Sequence, residues 1–249
     1  MNPGRPIIDF SFRQSIVTAF MTFLAKFLVS VPVHALYALK ISDRKNLRAL
    51  GRGGFITVSN HCLYGEPIFA GMAVWPRRFW YCVEQENVDR KDVGWLCRLM
   101  GAFGIPKEKP LAVTGPVLKA LDKKHVIHMF PEGVLYFRNQ DIAPFFRGAF
   151  HFALAAGVPV LPMTSVLHER KAWGLFSWLP PKVEYVIGKP LHPASFEETC
   201  GSRKEALKAF SEALRISMQD TIDGRTGARN LPGAVKPPPA GSRVSDAVS

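Results

Sequence analysis

Residues 59–66 read SNHCLYGE and place an imidazole, His61, five positions before a carboxylate, Glu66. The stretch ahead of them, GGFITV, has the β-branched, glycine-flanked character of a strand. The stretch behind, PIFAGMAVW, opens with proline and continues as an apolar helix. The pair therefore falls on a short turn just past a strand end, where α/β sheets open into a crevice. A histidine there suits general-base work near neutral pH, a contribution of about 100- to 10,000-fold in rate. The ring works best when one nitrogen donates to an acid and the other takes the substrate proton. Glu66, reached through the turn at Gly65, is the candidate orienting acid. Taken alone, a His-x4-Glu spacing is a weak signal and reads more readily as a histidine capping the turn with the glutamate on the surface. Cys62 adjoins His61, but neighbouring side chains on an extended segment point to opposite faces, which argues against a thiol nucleophile served by this imidazole.

Four further stretches carry related signals. FPEGV (130–134) is another strand end, with Glu132 and Gly133 in a Pro-Glu-Gly turn whose glycine lets backbone N–H groups approach an anion closely. GAFGIPKEK (101–109) places Gly101 and the basic Lys107 on a loop, and FFRGAF (145–150) places Arg147 at a helix start. VPVLPM (158–163), with Val160 and Pro162, is an apolar, proline-bounded strand.

Taken in chain order over residues 60–163, His–acid, Gly-rich with a base, FPEG and V-P-V-x-P, these stretches resemble the glycerolipid acyltransferase family, the 1-acylglycerol-3-phosphate acyltransferase-like enzymes. The resemblance implies transfer of a fatty acyl chain from a thioester to a lysophospholipid, with 1-acyl-glycerol-3-phosphate going to phosphatidate as the first expectation. It implies no bound cofactor, with acyl-CoA or acyl-ACP as co-substrate. His61 would be the base and Glu66 its partner. Lys107 would hold the acceptor's phosphate, Glu132 and Gly133 would help bind the acceptor, and Val160 and Pro162 would lie near the acyl donor. The oxyanion of the intermediate would be met by backbone N–H groups near Gly133. The chain departs from the family pattern where Glu66 replaces the usual aspartate, Lys107 replaces the usual arginine, and Val134 and Leu135 replace threonine and arginine. Either a phosphate contact is lost there, or Arg138 or Arg147 replaces it. Those departures leave two alternatives: a catalytically weakened lipid-binding homologue, or an acyltransferase for a different lyso-lipid.

The elements that must position these residues alternate along the chain. Strands are expected at 54–60, 77–85, 125–130, 158–167 and 182–191, with a short one after Gly101. Helices are expected at 67–74, from 93 to near Gly101, at 114–123, 145–157 and 202–222. The fold class is α/β: a single domain with a central mixed, largely parallel sheet flanked by helices, plus an N-terminal apolar helical membrane anchor. In the anchor, SIVTAFMTFLAKFLVSVPVHALYAL (15–39), Lys26 and Pro32 interrupt the run. It reads as an embedded or interfacial segment, with the proline splitting it into a helix pair, more than as a clean span. The boundaries are 1–42 for the membrane-associated segment, 43–223 for the acyltransferase domain and 224–249 for a Gly-, Pro- and Ser-rich disordered tail.

The 249 residues carry a formal net charge of +12, which points to an anionic partner. The apolar start and the His–acid pair favour a membrane surface over nucleic acid, and the aromatic-basic run at 171–182 reads as lipid contact. The expected location is membrane-associated, at the cytoplasmic face. None of the four cysteines forms a CxxC pair, and no metal-ligand cluster is apparent. His34, His125, His128 and His151 read as structural.

Overall fold

The structure is a computed structural model and describes residues 7–10, 12–170, 178–225 and 231–237. In chain order the elements begin with α1 (Phe12–Tyr37), β1 (Lys40–Ser42), α2 (Lys45–Arg48), β2 (Phe55–Ser59) and α3 (Glu66–Val74). They continue with β3 (Phe79–Glu84), α4 (Gln85–Asp89), α5 (Gly94–Leu99), β4 (Ala102–Ile105) and α6 (Thr114–Asp122). β5 (Val126–Met129), α7 (Gly148–Ala156), β6 (Val160–His168), β7 (Lys182–Ile187), α8 (Ala194–Glu197) and α9 (Arg203–Asp223) complete the domain.

The strands form one sheet in the order β1-β7-β6-β2-β5-β3-β4, parallel throughout except for the β6–β7 pair. β2 is central and buried along its whole length, which explains its unbroken apolar and β-branched sequence. Its alternate residues feed two cores. Ile56 and Val58 face α6, α7 and α9, which contribute Val117, Phe150 and Phe210 among others. Phe55 faces α3 and the end of α1, which contribute Phe69, Ala73 and Val33. The four-residue spacing of Ala206, Phe210, Leu214, Met218 and Ile222 gives α9 its single buried stripe. Ser202 caps it by accepting a hydrogen bond from Glu205 N.

Three expectations change. α1 runs unbroken through Pro32, because a proline in the last two turns removes one hydrogen bond without ending the helix. Among the described residues no helix is long and apolar enough to cross a membrane. β1 (Lys40–Ser42) was not among the expected strands, because an edge strand of three residues is too short to show alternation. The expected disordered tail is docked where it is described: Arg225 pairs with Asp43 and Glu184, and Leu231 is buried in the α3-side core. The rest of that tail, and residues 171–177 of the expected lipid-contact run, lie outside the described residues.

Arg77 ties together the loops that lead into β2 and β5. Its guanidinium donates to the carbonyls of Gly51 (2.9 Å), Arg52 (3.2 Å) and Lys124 (3.0 Å), and also to Gly53. Arg77→Ala should destabilise the domain by about 1–2 kcal/mol, the scale of lost charge-assisted hydrogen bonds. The check is a lower urea midpoint at unchanged slope.

Candidate active site

At the carboxyl end of β2 the main chain leaves the sheet, and a side chain continues the ladder in its place. Asn60, buried, accepts from Ser165 N (2.8 Å) and donates to Ser165 O (3.1 Å). One register step further along β6, Gln140 does the same for Leu167, at 2.7 and 3.1 Å. A carboxamide carries one acceptor and one donor group, so it can replace a peptide unit against a strand. β6 thus stays satisfied beyond the end of β2, and the chain at residue 61 is free to turn outward.

The turn is gripped from the β5 side. His61 N donates to Glu132 Oε1 (2.7 Å), His61 O accepts from Tyr136 N (2.8 Å), and Cys62 O accepts from Arg138 N (2.9 Å). His61 Nδ1 lies 2.7 Å from Glu66 Oε2. The ring stacks on Phe130 at 4.0 Å between centroids and 23° between planes. The histidine side chain is 22% exposed and that of Glu66 is 0%. An ionised carboxylate can only accept, so Nδ1 facing it carries the hydrogen and Nε2 keeps its lone pair. Glu66 is the first residue of α3, where the helix dipole favours a negative charge.

Behind this pair lies a buried polar layer. His128 meets Thr57 Oγ1 at 2.8 Å and Ser59 Oγ at 3.3 Å, and makes a T-shaped contact with Phe130 at 4.7 Å and 90°. Burial, with His61 close by, pushes the His128 pKa down to about 3, so the ring is neutral. Phe130 thus contacts both histidines, stacked on His61 and T-shaped against His128.

Glu132 is turned inward. Its second oxygen accepts from Ala143 N (2.9 Å), so one buried carboxyl group joins the His61 turn to the segment leading into α7. Burial raises its pKa to about 8, with the Glu66 charge adding and the two backbone donors opposing. Gly133 has φ +74, and a Cβ there would sit 2.7 Å from Phe146 Cε2, so the turn needs glycine. Gly133 N is committed to Phe130 O (3.0 Å), so the oxyanion donor expected near Gly133 is not that residue's own N–H. Arg147 is exposed at the start of α7, next to Phe146.

The other expected site residues divide by their place on the sheet. Lys107 follows the carboxyl end of β4, on the same rim as His61 but three strands away, about 14 Å at ordinary strand spacing. There it pairs with Glu86 (3.2 Å) and Glu84 (3.6 Å), all three exposed. Gly101 lies at the opposite, amino end of β4. Its φ is +97, and a Cβ would come within 2.7 Å of Phe79 O, so its glycine serves close backbone packing.

Val160 and Pro162 are not brought to the rim. Val160 is in register with Ile56 and buried in the core, and Pro162 is in register with Val58. Proline is tolerated in this central strand because its missing N–H falls where the β6–β7 ladder stops, at Ile187. There Gly188 N donates to Pro162 O instead (2.9 Å). Among the described residues no group of three or more His, Cys, Asp or Glu could hold a metal ion.

The architecture is that of an α/β enzyme whose polar groups gather at the carboxyl ends of its strands. The family model described as Acyltransferase matches residues 38–166, more than half of the chain; the chain belongs to that family and is an acyltransferase. The 1-acyl-sn-glycerol-3-phosphate acyltransferase of Salmonella typhimurium is 31% identical over 216 residues, covering 80% of this chain and 81% of that protein. The enzyme of the same name from Bacillus subtilis is 27% identical over 184 residues, covering 73% and 87%. The crystal structure of the 1-acyl-sn-glycerophosphate (LPA) acyltransferase PlsC from Thermotoga maritima has a TM-score of 0.54 at 17% identity, covering 89% of this chain and 91% of that one, and shares the fold.

Two outcomes follow from the buried groups. A carboxyl group whose folded pKa lies above its unfolded value stabilises fully below the unfolded value and loses that contribution as pH rises through the folded one. For Glu132 the window runs from the ordinary glutamate value of 4.5 to about 8. Melting temperature should fall with rising pH across it, and Glu132→Gln should remove that slope. Asn60→Ala should cost about 1–3 kcal/mol by leaving both Ser165 backbone groups without the amide, read from denaturant unfolding.

Proposed function

We propose that the chain transfers a fatty acyl group from a thioester to the free hydroxyl of a lysophospholipid, with His61 as general base. The observation that carries this reading is the His61–Glu66 contact at 2.7 Å on an accessible rim beside the Pro-Glu-Gly turn. His61 Nε2 takes the hydroxyl proton as the acceptor oxygen attacks the thioester carbonyl. The tetrahedral intermediate collapses, the carbon–sulfur bond breaks, and the thiolate leaves with the proton returned by the imidazolium. The net result is an ester and a free thiol. Glu66 keeps Nδ1 protonated and stabilises the imidazolium while it exists.

The relatives are named for 1-acyl-sn-glycerol-3-phosphate, and that acceptor is the first reading here, giving phosphatidate. Lys107 and Arg147 would meet its phosphate, and Glu132 would act by holding the His61 turn. The donor would be acyl-CoA or acyl-ACP, with no bound cofactor. A membrane surface at the cytoplasmic face would deliver the acceptor. The exposed side chains of Ile16, Phe20, Phe23 and Val31, spaced along one side of α1, suit a helix lying in the interface. One observation favours a second acceptor class. Glu84 and Glu86 flank Lys107 and offset its charge, which suits a lyso-lipid with a less anionic head group.

His61→Ala should lower turnover by about 100-fold or more with the fold retained, read from labelled-lipid product by mass and from circular dichroism. An unchanged rate would overturn the base assignment. Lys107→Ala should raise KM for lysophosphatidate severalfold and leave kcat nearly unchanged. If the second acceptor class holds, KM for lysophosphatidate will not move, and a less anionic lyso-lipid will be the faster substrate in a panel.

A further inference from the structure

Cys62 lies between the base and the interior, and its backbone N–H and its thiol both meet Glu66. Its backbone N–H is 3.1 Å from each carboxylate oxygen, and its Sγ is 3.2 Å from Oε1. The residue is buried, and Asn60 Nδ2 reaches the same sulfur at 3.6 Å. His61 turns out and Cys62 turns in, as their adjacent positions require. The carboxylate of Glu66 fills the space between them, with Oε2 on the imidazole and Oε1 on the thiol.

A glutamate has one more rotatable bond than an aspartate, and its terminal torsion is broad and roughly two-fold. Fixing Oε2 on the imidazole therefore requires a hold on Oε1. The Cys62 N–H is shared between both oxygens and does not distinguish them. The thiol touches Oε1 alone. Burial, with Glu66 and Glu132 nearby, holds the thiol well above its ordinary pKa, so the sulfur keeps its hydrogen and can donate.

We propose that Cys62 is a positioning residue for acyl transfer: its S–H holds Glu66 Oε1 so that Oε2 stays aligned with His61 Nδ1. The proposal deepens the reading of His61 as general base and rests on it. The thiol takes no part in bond making, since it faces the acid and not the rim.

The titratable groups around this carboxylate come from several elements. Tyr37 reaches it from α1, Tyr185 from β7 and Glu132 from the Pro-Glu-Gly turn, while His128 faces His61 from β5. Both tyrosines are pushed upward by burial and by Glu66, and His128 is pushed downward, so these three stay neutral through the working range. Glu132 is the neighbour whose titration must be controlled for.

The test measures kcat and KM against pH for the wild type, Cys62→Ser and Cys62→Ala, with the same profiles in a Glu132→Gln background. Serine keeps a donor, so Cys62→Ser should hold kcat within about threefold. Alanine removes it, so Cys62→Ala should lower kcat by about 10- to 100-fold, the scale of a small misplacement of reacting groups, with KM for both substrates unchanged. The acid limb of the profile should lie lowest in the serine variant and highest in the alanine variant. A carboxylate relieved of one donor attracts the imidazolium more strongly. Cys62→Val, which fills the space without donating, replaces the alanine variant if that one does not fold.

Wild-type kcat and acid limb in Cys62→Ala would overturn the proposal. So would equal losses in the serine and alanine variants accompanied by equal losses of stability, which would mark a packing role. His61→Ala separates the two levels. An active His61→Ala sinks the base reading itself, whereas an inactive one beside an unimpaired Cys62→Ala sinks this proposal alone.

Discussion

A carboxylate out of reach of water is tolerated only where donors surround it, and the rim of this sheet is built about meeting that condition for Glu66. Its oxygens take an imidazole N–H, a backbone N–H shared between them and a thiol. Each donor comes from the two residues that follow Asn60, so the acid can be satisfied only if the chain turns sharply at that point. The turn is possible because Asn60 and Gln140 complete the ladder on β6 and release the main chain. It is rigid because Glu132, Tyr136 and Arg138 hold its backbone. The geometry of the reacting pair is thus set by backbone contacts as much as by the pair itself.

What could be read beforehand follows from how local each signal is. β2 and α3 were legible because an apolar, glycine-flanked run followed by Gly-Glu-Pro has few other ways to fold. His61 and Glu66 were legible because their spacing lets one strand-to-helix turn bring them together, although that turn is itself held by distant residues. Non-local facts were not. That Asn60 would pair with Ser165, 105 positions away, depends on which strand lies beside β2. That Glu132 would face inward depends on where residue 143 returns. Val160 and Pro162 belong to an apolar strand in either reading, and only the register with Ile56 and Val58 takes them away from the rim. Leu231 gave no periodic signal, being one leucine in a tail rich in glycine, proline and serine.

The basic balance of the chain has a similar lesson, since a net charge carries no address. A group of cations stands at the amino ends of the strands, away from the candidate site. There burial, with Arg78, Lys123 and Arg77 adding to it, pushes the His125 pKa down to about 4. Arg78 lies over Trp80, whose indole N–H donates to His125 at 3.0 Å. On the rim itself Lys107 stands between two acids. The formal charge of +12 therefore says little about the field a head group meets beside His61.

The amide rung made by Asn60 has a consequence of its own. Hydrolysis of that side chain to aspartate, an ordinary fate of ageing asparagines, exchanges one nitrogen for one oxygen and leaves the shape intact. Opposite Ser165 it would set an anion against a carbonyl oxygen where a donor now stands. Spontaneous chemical wear at a residue that touches no substrate would thus unpick the weave that lets the neighbouring ring face outward.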